Sequence, residues 1–281
     1  MTELRSADRV PRFPLGILLF VIAIALVGPW IVPFDPQDGN LVDQFMPPIW
    51  INGGSMLHPF GTDQMGRDVL SRLIAGARIS MIVGFTAVIF SGCVGTLVAI
   101  TAGYLGGAVD AILMRLTDAM MSMPYLLIGV ALAGILGPGL MNLVVVLAVM
   151  GWASYARIIR AEVLKVKTLD YVVIARITDC SLARILWRHI FPNILNTLIV
   201  LATLHFGTSI ILASSLSFLG MGVSPPTPEW GLMVAEGREH ISTAWWLSTL
   251  PGICILMTCL SANLLGDWLR RRMDPKQRQR A

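Results

Sequence analysis

The sequence predicts an all-α integral membrane protein with six transmembrane helices and both termini in the cytoplasm. Three observations predict it. Hydrophobic residues make up 55% of the 281 residues and charged residues only 14%, whereas a soluble domain carries about 25% charged residues. Six stretches approach the ~20 apolar residues that a spanning helix needs. With the amino terminus inside, 17 of the 21 Lys and Arg residues fall on the inner side, the bias that sets membrane orientation.

The first span is read at residues 14–32. Its apolar run is too long for a cleavable leader, and Gly28, Pro29 and Trp30 do not form a small-residue cleavage site. Residues 1–34 therefore form an inner tail and the first span, with Arg5, Arg9 and Arg12 inside.

Residues 35–78 form an outer loop. Its first half is rich in Pro, Asp and Gly and reads as irregular. Its second half carries Val69, Leu70, Leu73 and Ile74 at helical spacing. Asp68 and Arg72 stand four apart, a favourable pair on one helical face. This predicts a short amphipathic helix lying at the outer interface, or a lead-in turn to the second span.

The second span covers residues 79–101 and the third 116–136. Gly95, Ala99, Gly103 and Gly107 recur at intervals of four, as do Gly129, Ala133 and Gly137. Such small-residue stripes let helices approach closely in lipid. Pro124 predicts a kink in the third span. Asp118 stands three residues after Arg115 near the inner end of that span, and is read as an ion pair near the headgroups or as a functional group. Met120, Met121 and Met123 read as adaptable packing.

The fourth span covers residues 140–156, the fifth 194–216 and the sixth 245–265. Trp245 and Trp246 read as interface anchors at the outer end of the sixth. His205 in the fifth span either lines a pathway, with Thr203, Thr208 and Ser209, or satisfies a neighbouring carbonyl in the bundle. Asp118 and Ser122 complete the candidate pathway-lining residues. The five later spans make one transmembrane unit, residues 79–270, followed by a basic inner tail, 271–281.

Between the fourth and fifth spans, residues 157–192 are too long for a simple connector and hold seven basic residues. Tyr171 to Ile177 fits two helical turns with an apolar face. Residues 178–181 read as a turn, with Ser181 as N-cap of a helix through His189. This predicts a helix-turn-helix displayed to the cytoplasm. Its apolar face calls either for a protein partner or for anionic lipid, which the basic residues also favour.

Several functional classes are excluded. The net charge of +4 is not gathered on a soluble face, so nucleic acid is not a partner. Cys93, Cys180, Cys254 and Cys259 make neither a disulfide framework nor metal-ligand spacing, and no metal site is expected. No H-E-x-x-H or G-x-S-x-G pattern supports a membrane-embedded enzyme, so no catalytic residues are assigned. No G-x-x-x-x-G-K-[ST] phosphate loop is found.

The inner segment reads Asp170-Tyr171-Val172-x-x-Ala175-Arg176, then Ser181, then Arg188-His189-Ile190-Phe191-Pro192-Asn193. It resembles the "EAA" loop of binding-protein-dependent ABC importer permeases, and more specifically the C-type subunit of the dipeptide, oligopeptide and nickel group. Residues 60–72, Gly103 to Gly107 with Asp110 and Arg115, Leu216 to Gly222 with Pro225, Pro226, Glu229, Trp230 and Gly231, and Leu265 to Arg270 with Asp274-Pro275 resemble further motifs of that group in the same order. The resemblance implies the transmembrane domain of a type I ABC importer in the bacterial inner (plasma) membrane. It implies a homologous B-type permease, one or two ABC ATPase subunits, an extracytoplasmic substrate-binding protein and membrane lipid as partners. ATP and Mg would sit on the ATPase, and this chain would bind no cofactor.

The resemblance also implies that Asp170, Tyr171, Ala175, Arg176, Asp179, Ser181, Arg188 and Pro192 belong to an ATPase-coupling loop. Two positions depart from the family pattern: Val173 stands for its usual Glu, and Asp179 for its usual Gly at the turn. Asp can also visit the left-handed conformation that Gly allows there. The cargo implied is a dipeptide or oligopeptide, with nickel or another small solute as the alternative. A self-sufficient channel or secondary carrier is the alternative of a different class.

Overall fold

The computed structural model describes residues 10–273. Arg5 and Arg9 of the inner tail, Asp274-Pro275, and Lys276, Arg278 and Arg280 lie outside the described residues.

The chain is almost wholly helical: α1 (Arg12–Ile31), α2 (Val69–Leu105), α3 (Gly107–Ser122), α4 (Tyr125–Leu136), α5 (Leu140–Lys167), α6 (Asp170–Ile177), α7 (Leu182–Phe218), α8 (Trp230–Gly237) and α9 (Trp246–Met273). Five of these, α1, α2, α5, α7 and α9, are long and apolar enough to cross a membrane. The bent pair α3–α4 makes a sixth crossing if it counts as one span.

Three sequence expectations are corrected. The amphipathic helix and the second span are one helix of 37 residues. Asp68 caps its start, accepting from the Ser71 backbone N–H at 2.8 Å, and no proline interrupts the run to Leu105. Its polar face does not lie on an interface, because Arg72 is only 1% exposed. The third span is broken rather than kinked: α3 and α4 meet at 94°. Pro124 disfavours the helical conformation for the residue before it, and Met123 is extended at φ −89° and ψ 143°. The inner connector is also shorter than expected, since α5 runs on to Lys167 and α7 begins at Leu182.

What remains of the connector is the predicted helix-turn-helix. α6 ends at a turn in which Asp179 adopts φ +57°. That is the left-handed conformation in which Asp stands for Gly. After one α-helical turn, Leu182–Ile185, α7 passes through a wider π-helical stretch, Leu186–Ile190, that ends two residues before Pro192. Proline cannot donate to the carbonyl four residues back, so the backbone there is free to widen.

α2 is the central rod. It packs along most of α5 and also against α1 and α7. α9 pairs with α7 and α8. The small-residue stripe explains the α2–α5 seam. A Cβ on Gly95 would lie 2.5 Å from the Trp152 carbonyl oxygen and from Tyr155 Cβ. One on Gly103 would lie 2.8 Å from Val163. The second stripe packs likewise, Gly129 against Met150 and Leu216, whereas Gly107 and Gly137 fall beyond the packed stretches.

The seam gives a direct test. Gly95→Leu should lower the unfolding midpoint in mild detergent, since overpacking costs about 1–3 kcal/mol. Cys93→Leu, at an exposed position on the same helix, should leave it unchanged. Equal midpoints in a thermal size-exclusion assay would contradict the close approach.

Candidate functional site

Three regions along the bundle carry chemistry: the α6–α7 hairpin at one end, a cavity between α5 and α7, and an ion cluster at the opposite, loop end.

The hairpin is held to the bundle by its inward face. Val172, Ala175, Ile185 and Ile190 are buried in one cluster with Tyr155, Ile159 and Val163 of α5 and Ala99 of α2. Ala175, expected on the coupling surface, is thus 8% exposed and turned inward. The outward face is apolar: Val173, Ile174, Ile177, Leu182 and Trp187 are exposed, Ile177 at 79% and Trp187 at 70%. The residue replacing the family's Glu, Val173, belongs to this face.

The other loop residues divide by role. Asp170 sits in the first turn of α6, where a carboxylate favours the helix dipole. Tyr171 accepts from Asn193 Nδ2 at 2.9 Å, tying α6 to α7. Arg176, Asp179, Ser181, Arg188 and Pro192 are exposed. Ser181 occupies the N-cap position as the sequence predicts, although its side chain makes no capping hydrogen bond.

Polar contacts fasten this end to the bundle. Lys167 Nζ donates to the carbonyl oxygens of Tyr104 at 2.7 Å and Gly103 at 3.2 Å, at the end of α2. Arg160 pairs with Asp110, and Arg157 with Asp118. Asp118 therefore pairs across to α5 rather than with Arg115. Spacing along one helix could not have found a partner 39 positions away.

The cavity has a volume of about 500 Å³. It is lined by Tyr125, Leu147, Gly151, Ser154, Leu201, Leu204, His205, Thr208, Ser209, Ile211 and Leu212. Three predicted residues, His205, Thr208 and Ser209, come together here. Asp118, Ser122 and Thr203 do not line it; Ser122 and Thr203 donate to carbonyls of their own helices, Ala119 and Ile199. The His205 ring packs against Tyr155 with centroids 4.6 Å apart and the ring planes tilted by 43°. Ser154 and Tyr125 were missed because serine and tyrosine in an apolar run give no signal of which way they point.

At the loop end, three buried charges, Asp63, Arg67 and Arg72, meet the half-buried Glu236. Arg67 Nε meets Asp63 Oδ2 at 2.7 Å and its Nη2 meets Glu236 at 3.3 Å. Arg72 Nη2 meets Glu236 Oε2 at 2.8 Å and its Nε lies 3.4 Å from Asp63. The expected Asp68–Arg72 pair does not form, because Asp68 is engaged by His58 at 3.0 Å and by Ser71. Glu229 caps α8, accepting from Gly231 and Leu232 N–H at 2.9 and 2.8 Å. Trp230 Nε1 donates to the Leu73 carbonyl at 3.0 Å and Trp246 Nε1 to that of Thr62 at 3.3 Å. The loop, α2, α8 and α9 are thereby joined.

Comparisons with known proteins agree with this architecture. Residues 95–279 match the family "Binding-protein-dependent transport system inner membrane component". Residues 9–48 match the "N-terminal TM domain of oligopeptide transport permease C". The chain is 43% identical to the di/tripeptide transport system permease protein DppC of Pseudomonas aeruginosa, over 95% of this chain and 89% of that one. It is 43% identical to the dipeptide transport system permease protein DppC of Escherichia coli K12, over 93% and 87%. It is 38% identical to the corresponding Bacillus subtilis protein, over 94% and 81%. A crystal structure of an amino acid ABC transporter with histidines shares the fold, with a TM-score of 0.54 at 17% identity, over 72% of this chain and 94% of that one.

The ion cluster makes its own prediction. Glu236→Ala leaves two buried guanidinium groups short of a counter-charge, a loss that costs about 3–5 kcal/mol. Thermal stability in detergent should fall sharply. Glu236→Gln, which keeps one acceptor, should fall less. A wild-type midpoint for the alanine variant would show that the cluster does not hold α8 to α2.

Proposed function

The chain belongs to the binding-protein-dependent transport system inner membrane components, and from that premise we propose that it is one of two transmembrane subunits of an ATP-driven dipeptide importer. It is a multi-pass inner-membrane protein. Its relatives' names favour peptides over nickel as cargo. A homologous B-type permease completes the pathway, one or two ABC ATPase subunits supply the energy, and an extracytoplasmic binding protein delivers the peptide at the loop end. The hairpin end and both termini face the cytoplasm, in keeping with the charge bias of the sequence. The chain contributes no ATP chemistry and binds no cofactor itself.

The observation that carries this reading is the outward apolar face of the hairpin. Ile174, Ile177 and Trp187 are exposed at the end of a bundle, where an apolar patch calls for a partner. The face is mounted on a hairpin whose other side is packed on α5 and α2. A push on the hairpin is therefore transmitted to the long helices rather than absorbed by a loop. The cavity, lined by α4, α5 and α7 residues, is read as this subunit's share of the peptide's path.

Two variants separate docking from folding. Ile177→Glu should leave the chain stable, abolish copurification of the ATPase and reduce ATP-driven dipeptide uptake at least about tenfold, as expected when a charge is buried in an apolar contact. Ala175→Glu should instead destabilise the chain itself, because its side chain enters the packed seam. Normal uptake and ATPase recovery with Ile177→Glu would refute the docking face.

The path has a separate test. Thr208→Trp fills the cavity from its exposed rim. It should preserve assembly with the second permease and block uptake. Undiminished uptake would remove the cavity from the cargo's route.

A further inference from the structure

The cavity's lining divides into two kinds of group. Leu147, Leu201, Leu204, Ile211 and Leu212 supply aliphatic wall. The polar groups are Tyr125, Ser154, His205, Thr208 and Ser209. Two of these are already engaged: the Tyr125 hydroxyl donates to the Met150 carbonyl at 2.6 Å, and the Thr208 hydroxyl to the His205 carbonyl at 2.9 Å. Among the described residues, the side chains of Ser154, His205 and Ser209 have no hydrogen-bond partner in the chain. The His205 ring is held in place by its tilted contact with the ring of Tyr155, which is fully buried. Its nitrogens are thus oriented without being used.

A neutral imidazole donates through one nitrogen and accepts through the other, and a hydroxyl does both. Such groups match what every peptide shares: an amide, an ammonium and a carboxylate. They do not select the charge of a side chain, and the lining contains no Lys, Arg, Asp or Glu. A conduit must also bind loosely enough to release its cargo. Neutral hydrogen bonds meet that need where a desolvated ion pair would hold one class of peptide and exclude the other.

We propose that His205, with Ser154 and Ser209, hydrogen-bonds the main chain of the passing peptide, and that the aliphatic lining accepts its side chains irrespective of charge. His205 is then the residue by which this subunit recognises a peptide. This rests on the reading that the cavity lies on the cargo's route.

The test uses the complete importer in proteoliposomes with its binding protein, and measures ATP-driven uptake of Ala-Ala, Ala-Lys and Ala-Glu. His205→Phe keeps a ring to pack against Tyr155 and removes the hydrogen bonds. It should lower uptake of all three peptides by a common factor of about ten, as loss of a hydrogen bond implies. His205→Gln keeps donor and acceptor and should stay within about twofold of wild type. Ser209→Ala should lower all three peptides together.

The opposite ranking, Phe active and Gln inactive, would assign His205 to packing and overturn the proposal. A loss confined to Ala-Lys or Ala-Glu would overturn it too, by showing that side-chain charge is read here. If all His205 variants transport normally while Thr208→Trp blocks, the cavity is on the route and the hydrogen-bonding role is refuted. If Thr208→Trp also transports normally, the cavity reading fails and the proposal with it.

Discussion

Hydrocarbon offers no partner to a peptide N–H or C=O, so each helix that ends inside this bundle must find a capping group within the chain. The irregular parts of the fold follow from how that demand is met. Asp68 caps α2 and Glu229 caps α8 with carboxylates that accept backbone N–H groups. The far end of α2 is covered by Lys167, which donates to two of its last carbonyls. α4 ends where Asn142 Nδ2 donates to the carbonyls of Leu136 and Gly137 at 2.8 and 3.2 Å. The start of α5 is joined to the loop before α8 when Gly139 donates to the Gly222 carbonyl at 2.9 Å. Asp68 and Glu229 cap their own helices locally, whereas Lys167 and the Gly139–Gly222 bond join separate elements and so also serve as ties.

Close approach is the second constraint, and it depends on the first. Once every helix is internally satisfied, helices associate in lipid through contact and not through exclusion of water. The α2–α5 seam supplies that contact with Gly95 and Gly103 against the backbone and side chains of α5. A rigid α2–α5 pair is what lets a short hairpin matter. α6 has only 8 residues and would not be stable alone. It is ordered by burying Val172 and Ala175 on the pair, which leaves its other face for something else.

Much of this was legible in the sequence. Hydropathy located the apolar helices, the small-residue periods located the seam, and Asp179 at the turn adopts the conformation that Gly would have supplied. Pro124 marked the break in the third span. What could not be read were facts of direction and distance. α6 carries apolar residues on both of its faces, so Ala175 and Ile177 looked alike although one is buried and the other exposed. Ion-pair partners were equally hidden. Arg72 sits four residues from Asp68, yet its carboxylate is Glu236, 164 positions away. Local spacing suggests a pair only when no distant group competes, and Asp68 was already committed to His58 and to the helix cap.

The length of α2 joins the two ends of the molecule. At 1.5 Å per residue its 37 residues span about 55 Å, well beyond the ~30 Å of a hydrocarbon core. The surplus is used at both ends. At one end the helix carries Arg72 into the ion cluster with α8 and the loop before α2. At the other it offers its last carbonyls to Lys167, three residues before α6 begins. Between these points it lies against α5, whose Tyr155 supports His205 in the cavity wall. The same seam that leaves no room for a Cβ at Gly95 beside Trp152 and Tyr155 thus sets the helix that carries His205's ring partner.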